Sequence, residues 1–232
     1  MTVGIVVFPG SNCDHDVHHV ITTLCGGAAR FIWHKETDLS DVSAIVLPGG
    51  FSYGDYLRCG AIAHVSPVMA EVKRFAAAGR PVLGICNGFQ IMVESGILPG
   101  ALVRNRDLRF ICKDACLTVE STDSPYTENY RVGEVVNFPI AHADGNYEAH
   151  ADTIKALEDQ GRVAFRYASA DGVVDDAANP NGSMNNIAGI FGEHKNVLGM
   201  MPHPERMAEA LLGGDCGSGL FRGLLAHISE AG

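Results

Sequence analysis

Short apolar runs rich in β-branched residues alternate with longer amphipathic segments through the first hundred residues. Four such runs have the length and continuous hydrophobicity of strands buried on both faces, and they lie at 3–8, 29–33, 44–47 and 81–85. The segments 14–25 and 64–78 between them predict helices that end at glycine. Strands and helices alternating in this way predict an α/β fold, an open, doubly wound, mostly parallel sheet with helices on both faces. Functional side chains then belong at the carboxyl ends of the strands.

The pattern changes after residue 110. Runs at 110–119, 132–142 and 163–167 are separated by turn-forming residues and predict a small antiparallel insertion. The chain then returns to a strand at 196–201, followed by predicted helices at 205–212 and 218–227. Because no repeat, linker or low-complexity tract interrupts the sequence, it predicts a single domain over residues 1–232.

Composition narrows the class of protein. The chain is 47% hydrophobic and 19% charged, which excludes disorder, and its formal net charge of −10 disfavours binding to nucleic acid. No uncharged apolar stretch approaches the roughly 18 residues of a membrane span. The seven cysteines are odd in number and lack a disulfide framework, and the sequence shows no secretory leader. We therefore expect a cytoplasmic protein that acts away from membranes.

The segment from Gly84 to Gln90 carries the strongest chemical signal. It places Cys86 between an apolar strand and a helix, with Gly84 and Gly88 on either side. This is the nucleophile-elbow order with cysteine in the place of serine, and a helix amino terminus there favours a thiolate. A buried structural cysteine between helix-packing glycines would produce the same short pattern.

A second segment supplies a base for such a nucleophile. Pro202 and Pro204 flank His203 and disfavour helical geometry, so the side chains of His203 and Glu205, two residues apart, are expected to share a face. The carboxylate would then orient the imidazole toward Cys86. Together these residues predict a Cys, His, Glu triad.

A third segment follows the strand that ends at Leu47. Its adjacent glycines, Gly49 and Gly50, can direct a backbone N–H inward, and that donor together with the N–H of Asn87 would form an oxyanion hole. An ordinary glycine turn would look the same when taken alone. Its place at the same sheet edge as Cys86 favours the functional interpretation.

These segments resemble the three signatures of the class I, triad-type glutamine amidotransferases. They read LPGG at 47–50, GICNGFQ at 84–90 and MPHPE at 201–205. More specifically, the chain is similar to the glutaminase subunits of phosphoribosylformylglycinamidine synthases through FPGSNCD at 8–14, GGFSYGDYLRCGA at 49–61, LRFICK at 108–113, NPNGS at 179–183 and NVLGMMPHPER at 196–206. The resemblance covers nearly the whole chain.

The resemblance implies a role for each matching residue. Cys86 is the nucleophile, His203 the base and acid, and Glu205 the residue that orients it. Gly50 and Asn87 match the oxyanion-hole positions, and Gln90 matches the glutamine that holds the backbone end of the substrate. The segment 105–110 falls in the glutamine-pocket loop. The segment 142–145 departs from the family's His-Gly-Glu-Gly because it reads His-Ala-Asp-Gly.

The resemblance also implies partners. L-glutamine would be hydrolysed here to glutamate and ammonia. A large ATP-dependent synthetase subunit would use the ammonia to convert formylglycinamide ribonucleotide to formylglycinamidine ribonucleotide in de novo purine biosynthesis, joined by a small bridging subunit. No P-loop and no G-x-G-x-x-G after the first strand is found in this sequence, so ATP and Mg²⁺ are expected on the synthetase and no cofactor on this chain.

Two other functions fit parts of the pattern. A cysteine peptidase or general hydrolase could use the same scaffold, since fold and elbow do not define the substrate. A non-catalytic redox or binding module with a vestigial elbow cysteine is the other.

We expect no metal site, because Cys112 and Cys116 lack the usual paired spacing and His15 and His19 lack the glutamate of an H-E-x-x-H motif. The Tyr53 to Arg58 loop and the 12–16 segment are candidate partner contacts.

Overall fold

The structure is a computed structural model and describes residues 1–230. These residues include eleven strands and five α-helices, together with several short 3₁₀ and π-helical turns. The strands are β1 (Thr2–Val7), β2 (Ala28–Trp33), β3 (Ala44–Leu47), β4 (Val82–Ile85), β5 (Ala101–Val103), β6 (Ile111–Val119), β7 (Val135–His142), β8 (Asn146–Glu148), β9 (Val163–Tyr167), β10 (Ile187–Phe191) and β11 (Val197–Met200). The helices are α1 (Asp14–His19), α2 (Pro67–Ala77), α3 (Asn87–Glu94), α4 (Ala151–Asp159) and α5 (Ser218–Glu230).

Nine of these strands form one sheet in the order β2-β1-β3-β4-β11-β10-β9-β6-β7. The first five are parallel to one another, and each later strand is antiparallel to its neighbour, so only β10 and β6 run against the other seven. The predicted doubly wound, mostly parallel α/β class is confirmed. The antiparallel strands extend the same sheet, and β5 and β8 pair separately as a two-stranded ribbon.

Burial in the hydrophobic core accounts for the continuous apolar runs of the predicted strands. Every residue of β3 and of β4 is buried, as expected for parallel strands covered on both faces. Helix α2 contributes Val68, Met69, Val72 and Phe75 to the same core. Within residues 1–230, no helix combines the length and the apolar character that a membrane crossing requires.

The helix predicted over 205–212 is wrong. The chain makes two short 3₁₀ turns there, Pro204–Arg206 and Ala210–Leu212. The backbone of Gly217 lies against this segment so closely that a Cβ on it would be 1.9 Å from the carbonyl oxygen of Pro204. The Gly217 N–H also donates to the Met207 carbonyl at 2.7 Å. Carbonyls that a helix would use internally are therefore covered by a neighbouring stretch of chain.

The sheet topology determines where side chains can converge. Since β1, β3, β4, β11 and β7 run in one direction, their carboxyl ends lie at one edge of the sheet. Edge strand β7 also contacts the segment that follows β11: the N–H of His203 donates to the Pro139 carbonyl of β7 at 2.8 Å. The segments that carry the predicted chemistry therefore meet at this edge.

Candidate active site

Cys86 occupies the turn between β4 and α3 in a backbone conformation that is rare for a residue with a side chain. Its φ is 49° and its ψ is −105°. The N–H of Cys86 donates to the Met200 carbonyl at 2.8 Å, which ties the turn to β11. Strained backbone of this kind occurs where the surrounding structure holds a side chain for function. The side chain is 5% exposed.

The two glycines beside Cys86 are required by close packing. A Cβ on Gly88 would lie 1.9 Å from the carbonyl oxygen of Leu47, and a Cβ on Gly84 would lie 2.9 Å from the carbonyl carbon of Gly88. Real Cβ atoms do not come this close to backbone. The start of α3 can therefore pack against β4 and the end of β3 only when both positions lack side chains.

His203 and Glu205 form a buried pair at the end of β11. His203 Nδ1 donates to Glu205 Oε1 at 2.6 Å, and both side chains are almost fully buried. The backbone of His203 is non-helical, with φ −105° and ψ 88°, in keeping with the prolines on either side. The predicted common face of the two side chains is present in the structure.

Electrostatics favours a protonated His203. Burial alone lowers the pKa of this imidazole, but the Glu205 carboxylate, the Cys86 sulfur and Cys13 together raise the pKa well above its ordinary value. With Nδ1 committed to Glu205, Nε2 has no protein partner among residues 1–230. The second ring nitrogen is thus available for proton transfer beside Cys86.

Strand β7 and the segment after it line the site on one side. The Cys86 thiol contacts the Ala141 carbonyl oxygen at 3.7 Å. Further along, Gln90 Nε2 donates to the Asp144 carbonyl at 2.7 Å, and Gln90 Oε1 accepts from Asn87 Nδ2 at 2.8 Å. Gln90, singled out through the family resemblance, therefore lies one helical turn beyond the nucleophile.

The loop after β3 reaches the triad through its glycines. A Cβ on Gly49 would lie 2.7 Å from Cε1 of His203, and Gly50 has a φ of +149°, which favours glycine. Neither the N–H of Gly50 nor that of Asn87 donates a hydrogen bond within the described chain. Both donors predicted for an oxyanion hole are therefore unpaired.

His142 is a buried residue at this edge for which sequence analysis predicts no role. Oδ1 of Asn105 accepts from the Gly145 N–H at 3.0 Å, so it also accepts from His142 Nδ1 at 3.0 Å. Nε2 of His142 is then an unprotonated acceptor, and it has no partner within residues 1–230. Burial, followed by the charge of His203, lowers the pKa of His142 to about 4.

Cys13 also lies beside the triad. Sequence analysis did not predict this position, although it named the 12–16 segment as a candidate partner contact. Ligand atoms of Cys13, His203 and Glu205 lie within 4.8 Å of one another, which makes them the one group in residues 1–230 that could hold a metal ion. Glu205 is already bonded to His203, however, and Arg206 Nη2 donates to Cys13 Sγ at 3.0 Å. A guanidinium at that distance opposes a bound cation.

Two carboxylates and a thiol lie near Gln90 and Asn87. Cys59 Sγ donates to Asp144 Oδ2 at 3.4 Å, and Asn87 Nδ2 reaches Asp55 Oδ1 at 3.4 Å. Burial, then the charges of Asp55 and Asp144, raise the pKa of Cys59. Cys59 therefore remains a neutral thiol and does not compete with Cys86 as a nucleophile.

An elbow cysteine, a buried histidine and a carboxylate lie together at one edge of a doubly wound sheet, which is the arrangement expected of a triad-type amidotransferase. The model of the CobB/CobQ-like glutamine amidotransferase domain matches residues 1–213, and the chain belongs to this family. It is 56% identical to phosphoribosylformylglycinamidine synthase subunit PurQ of Trichormus variabilis, over 98% of each chain. It is 57% identical to the protein of the same name from Synechococcus elongatus, over 99% of this chain and 100% of that one.

A solved structure supports the same relationship. PurLQS from Thermotoga maritima contains a chain that superposes with a TM-score of 0.87 at 41% identity, covering 98% of both chains. A glutamine amidotransferase of the same organism shares the fold, with a TM-score of 0.61 at 16% identity. The family resemblance seen in the sequence is confirmed.

Proposed function

We propose that this chain, as a single amidotransferase domain over residues 1–232, is the glutaminase subunit of a phosphoribosylformylglycinamidine synthase. The observation that carries the proposal is the buried pair in which Glu205 accepts from His203 at 2.6 Å, beside a cysteine held at φ 49°. Full-length relatives that are themselves named subunits of this synthase support the choice of reaction. The chain supplies ammonia for the conversion of formylglycinamide ribonucleotide to formylglycinamidine ribonucleotide.

The first chemical step is acyl transfer to Cys86. The thiolate attacks the side-chain carboxamide carbon of L-glutamine, and the carbonyl oxygen becomes an oxyanion held by the N–H groups of Gly50 and Asn87. Nε2 of His203 gives its proton to the nitrogen, the C–N bond breaks, and ammonia leaves. A γ-glutamyl thioester on Cys86 remains.

The second step is hydrolysis of that thioester. Nε2 of His203, now neutral, removes a proton from water as the water oxygen attacks the thioester carbon. The C–S bond breaks, the thiolate is restored, and glutamate leaves. Throughout, the Glu205 carboxylate accepts from Nδ1–H and stabilises the imidazolium form.

Substrate binding follows from the groups around the nucleophile. Gln90 lies on the first turns of α3, and its side-chain amide bonds Asn87 and the Asp144 carbonyl. These contacts hold the Gln90 side chain in place, and the family resemblance assigns it to the backbone end of the substrate glutamine. Ala143 and Asp144 stand where the family segment has glycine and glutamate. This difference does not affect the hydrogen bond from Gln90, because the acceptor is the backbone carbonyl of Asp144.

The reaction divides between subunits. Ammonia is passed to a large synthetase subunit that holds ATP and Mg²⁺, with a small bridging subunit completing the complex, and this chain uses no cofactor of its own. We place the complex in the cytoplasm, where disulfides are rare, in keeping with the seven free cysteines of this chain.

Ammonia release from glutamine tests the proposal. The purified chain is assayed alone and with the synthetase and bridging subunits, beside Cys86→Ala and Cys59→Ser. We expect release that depends on Cys86, survives in Cys59→Ser, and yields formylglycinamidine ribonucleotide only in the complete complex. Equal release by wild type and Cys86→Ala would refute the assignment of the nucleophile.

Two further assays separate the alternatives. Cleavage of an unfolded protein substrate by the wild-type chain without glutaminase activity would identify a peptidase. Absence of ammonia release with selective oxidation of Cys86 would identify a redox module. The complex supplied with ammonium salt in place of glutamine controls for damage to the synthetase reaction, since Cys86→Ala should not affect it.

A further inference from the structure

The NPNGS segment at 179–183, between β9 and β10, forms a buried polar turn for which the triad gives no reason. Asn179, Asn181 and Ser183 are 5%, 0% and 2% exposed. Oδ1 of Asn179 accepts from the Gly182 N–H at 2.8 Å, which closes the turn on itself. Buried polar side chains are costly unless each has a partner. The partners of these side chains therefore indicate what the 179–183 turn positions.

Hydrogen bonds from Ser183 determine which terminal atom of the Asn181 amide is the nitrogen. Asn181 Oδ1 accepts from the backbone N–H of Ser183 at 3.0 Å and from its Oγ at 2.8 Å. A backbone N–H can only donate, so the atom beside it is the amide oxygen and the other is the nitrogen. Nδ2 of Asn181 then donates to the Gly145 carbonyl at 2.8 Å and lies 3.3 Å from the Tyr167 hydroxyl.

Gly145, the acceptor for Asn181, is held at both of its backbone polar groups. Its carbonyl accepts from Asn181 Nδ2, and its N–H donates to Asn105 Oδ1 at 3.0 Å. A Cβ on Gly145 would lie 2.2 Å from Cε1 of His142, so the glycine backbone packs directly against that ring. The backbone of Gly145 therefore has little freedom to move while the Asn181 amide is in place.

The residues just before Gly145 contact the nucleophile and the residue assigned to the backbone end of the substrate. The Ala141 carbonyl lies 3.7 Å from the Cys86 thiol, and the Asp144 carbonyl accepts from Gln90 Nε2 at 2.7 Å. The Asp144 carbonyl and the Gly145 N–H belong to one planar peptide unit. Holding Gly145 in place therefore also orients the acceptor of Gln90.

The 179–183 turn also bonds the 105–110 loop. The N–H of Arg106 donates to the Asn181 carbonyl at 2.8 Å. Asn181 is thus bonded to two separate parts of the active-site edge, the 105–110 loop through its backbone carbonyl and the 142–145 segment through its side chain. A change at this buried residue alters the position of one part relative to the other.

We propose that Asn181 is a positioning residue that sets the gap between the 105–110 loop and the 142–145 segment, and thereby the affinity of the site for L-glutamine. The inference rests on the proposed function, since the family resemblance places the glutamine pocket in that loop. Cys86 and His203 lie on other elements, before α3 and after β11. Loss of the Asn181 amide nitrogen therefore weakens substrate binding more than it slows the chemical steps.

Two substitutions remove the contact to different degrees. Asn181→Asp keeps the volume of the side chain and the acceptor for Ser183, but its carboxylate cannot donate to the Gly145 carbonyl. Ser183→Ala is milder, because it removes the Oγ that donates to Asn181 Oδ1 and leaves the amide in place.

Asn186→Asp is the matched control for Asn181→Asp. Asn186 is also buried, at 6% exposed, and its Nδ2 also donates to backbone carbonyls, those of Tyr167 at 3.0 Å and Asp175 at 2.7 Å. Neither carbonyl belongs to the two segments that Asn181 joins. Its φ of +56° is one that aspartate adopts about as readily as asparagine. The control therefore loses the same kind of buried donor without changing the contacts of the glutamine pocket.

KM and kcat for glutamine are measured in the complete complex, and labelling of Cys86 is followed with two reagents. Iodoacetamide alkylates a thiol without recognising glutamine, whereas a diazoketone analogue of glutamine must first bind in the pocket. We expect Asn181→Asp to raise KM at least about tenfold with kcat within about threefold, and to slow labelling by the diazoketone alone. Ser183→Ala should raise KM about threefold, and Asn186→Asp should keep KM within about twofold. Melting temperatures of the two aspartate variants should fall together.

The outcomes separate this proposal from the proposed function. Equal KM values for Asn181→Asp and Asn186→Asp, with Cys86-dependent ammonia release intact, would overturn the positioning role alone. A lower kcat at unchanged KM would also overturn it, since Asn181 would then act on the triad. If Asn181→Asp does not fold, an unchanged KM in Ser183→Ala overturns the proposal. A wild-type complex that releases no ammonia from glutamine would refute both proposals.

Discussion

The neutral, buried His142 makes the free energy of unfolding depend on pH. Its pKa is lowered from 6.5 to about 4, chiefly by burial and then by the charge of His203. Between these two pH values the unfolded chain binds a proton at this position and the folded chain does not. Stability from this group is therefore complete above about pH 6.5 and is lost as the pH falls toward 4.

The size of the effect follows from the shift. A change of roughly 2.5 pH units at about 1.4 kcal/mol per unit gives about 3 kcal/mol. The side chain is 2% exposed, so solvent screening takes little from this figure. His142→Asn is the matched variant, because its amide can still donate to Asn105 Oδ1 while the titrating ring is removed.

Urea unfolding of both proteins at a series of pH values through this window measures the effect. We expect His142→Asn to be less stable at neutral pH, because it leaves a cavity, and to lose about 3 kcal/mol less than wild type as the pH falls to 4. Contributions of groups that do not interact with His142 are common to both proteins and cancel in the difference, whereas the coupling between His142 and His203 is counted with His142. Parallel pH profiles for the two proteins would refute the assignment of a neutral, buried His142.

Three other changes probe the triad and its support. Gly88→Ala should lower ammonia release by at least about 10²-fold and lower the melting temperature, because the new methyl group meets the Leu47 carbonyl; wild-type activity would contradict the packing account. Gly79→Ala, where φ is +80° and no atom lies within 4 Å, should cost about 1 kcal/mol of stability and leave activity intact. Glu205→Gln removes the carboxylate that raises the pKa of His203, so the alkaline limb of kcat should move to lower pH and kcat should fall by about 10²-fold or more; an unmoved limb would refute the electrostatic role of Glu205.

Much of the site could be predicted from sequence because its chemistry depends on local order. The strand, glycine, cysteine, glycine order around Cys86 and the two prolines around His203 mark these backbone conformations within a few neighbouring residues. Both conformations are present in the structure. The parallel strands were equally predictable, since burial on both faces leaves a continuous apolar run.

The remaining features depend on contacts between distant segments. Nothing local marks His142 as neutral, because that state follows from burial by distant segments and from the charge of His203. The tautomer likewise depends on Asn105, 37 residues away, which accepts from Nδ1. The helix predicted over 205–212 is wrong because of another contact between separate segments: Gly217 lies against carbonyls that a helix would have used. Cys13 is placed beside His203 by the meeting of loops that follow β1 and β11.

The proposed reaction depends above all on a γ-glutamyl thioester formed on Cys86. Acid quenching of the complex during turnover with isotopically labelled glutamine, followed by peptide mapping, measures it directly. We predict label on the peptide that contains Cys86 in wild type and no covalent label in Cys86→Ala. Label on Cys13 or Cys59, or turnover that persists in Cys86→Ala, would contradict the account.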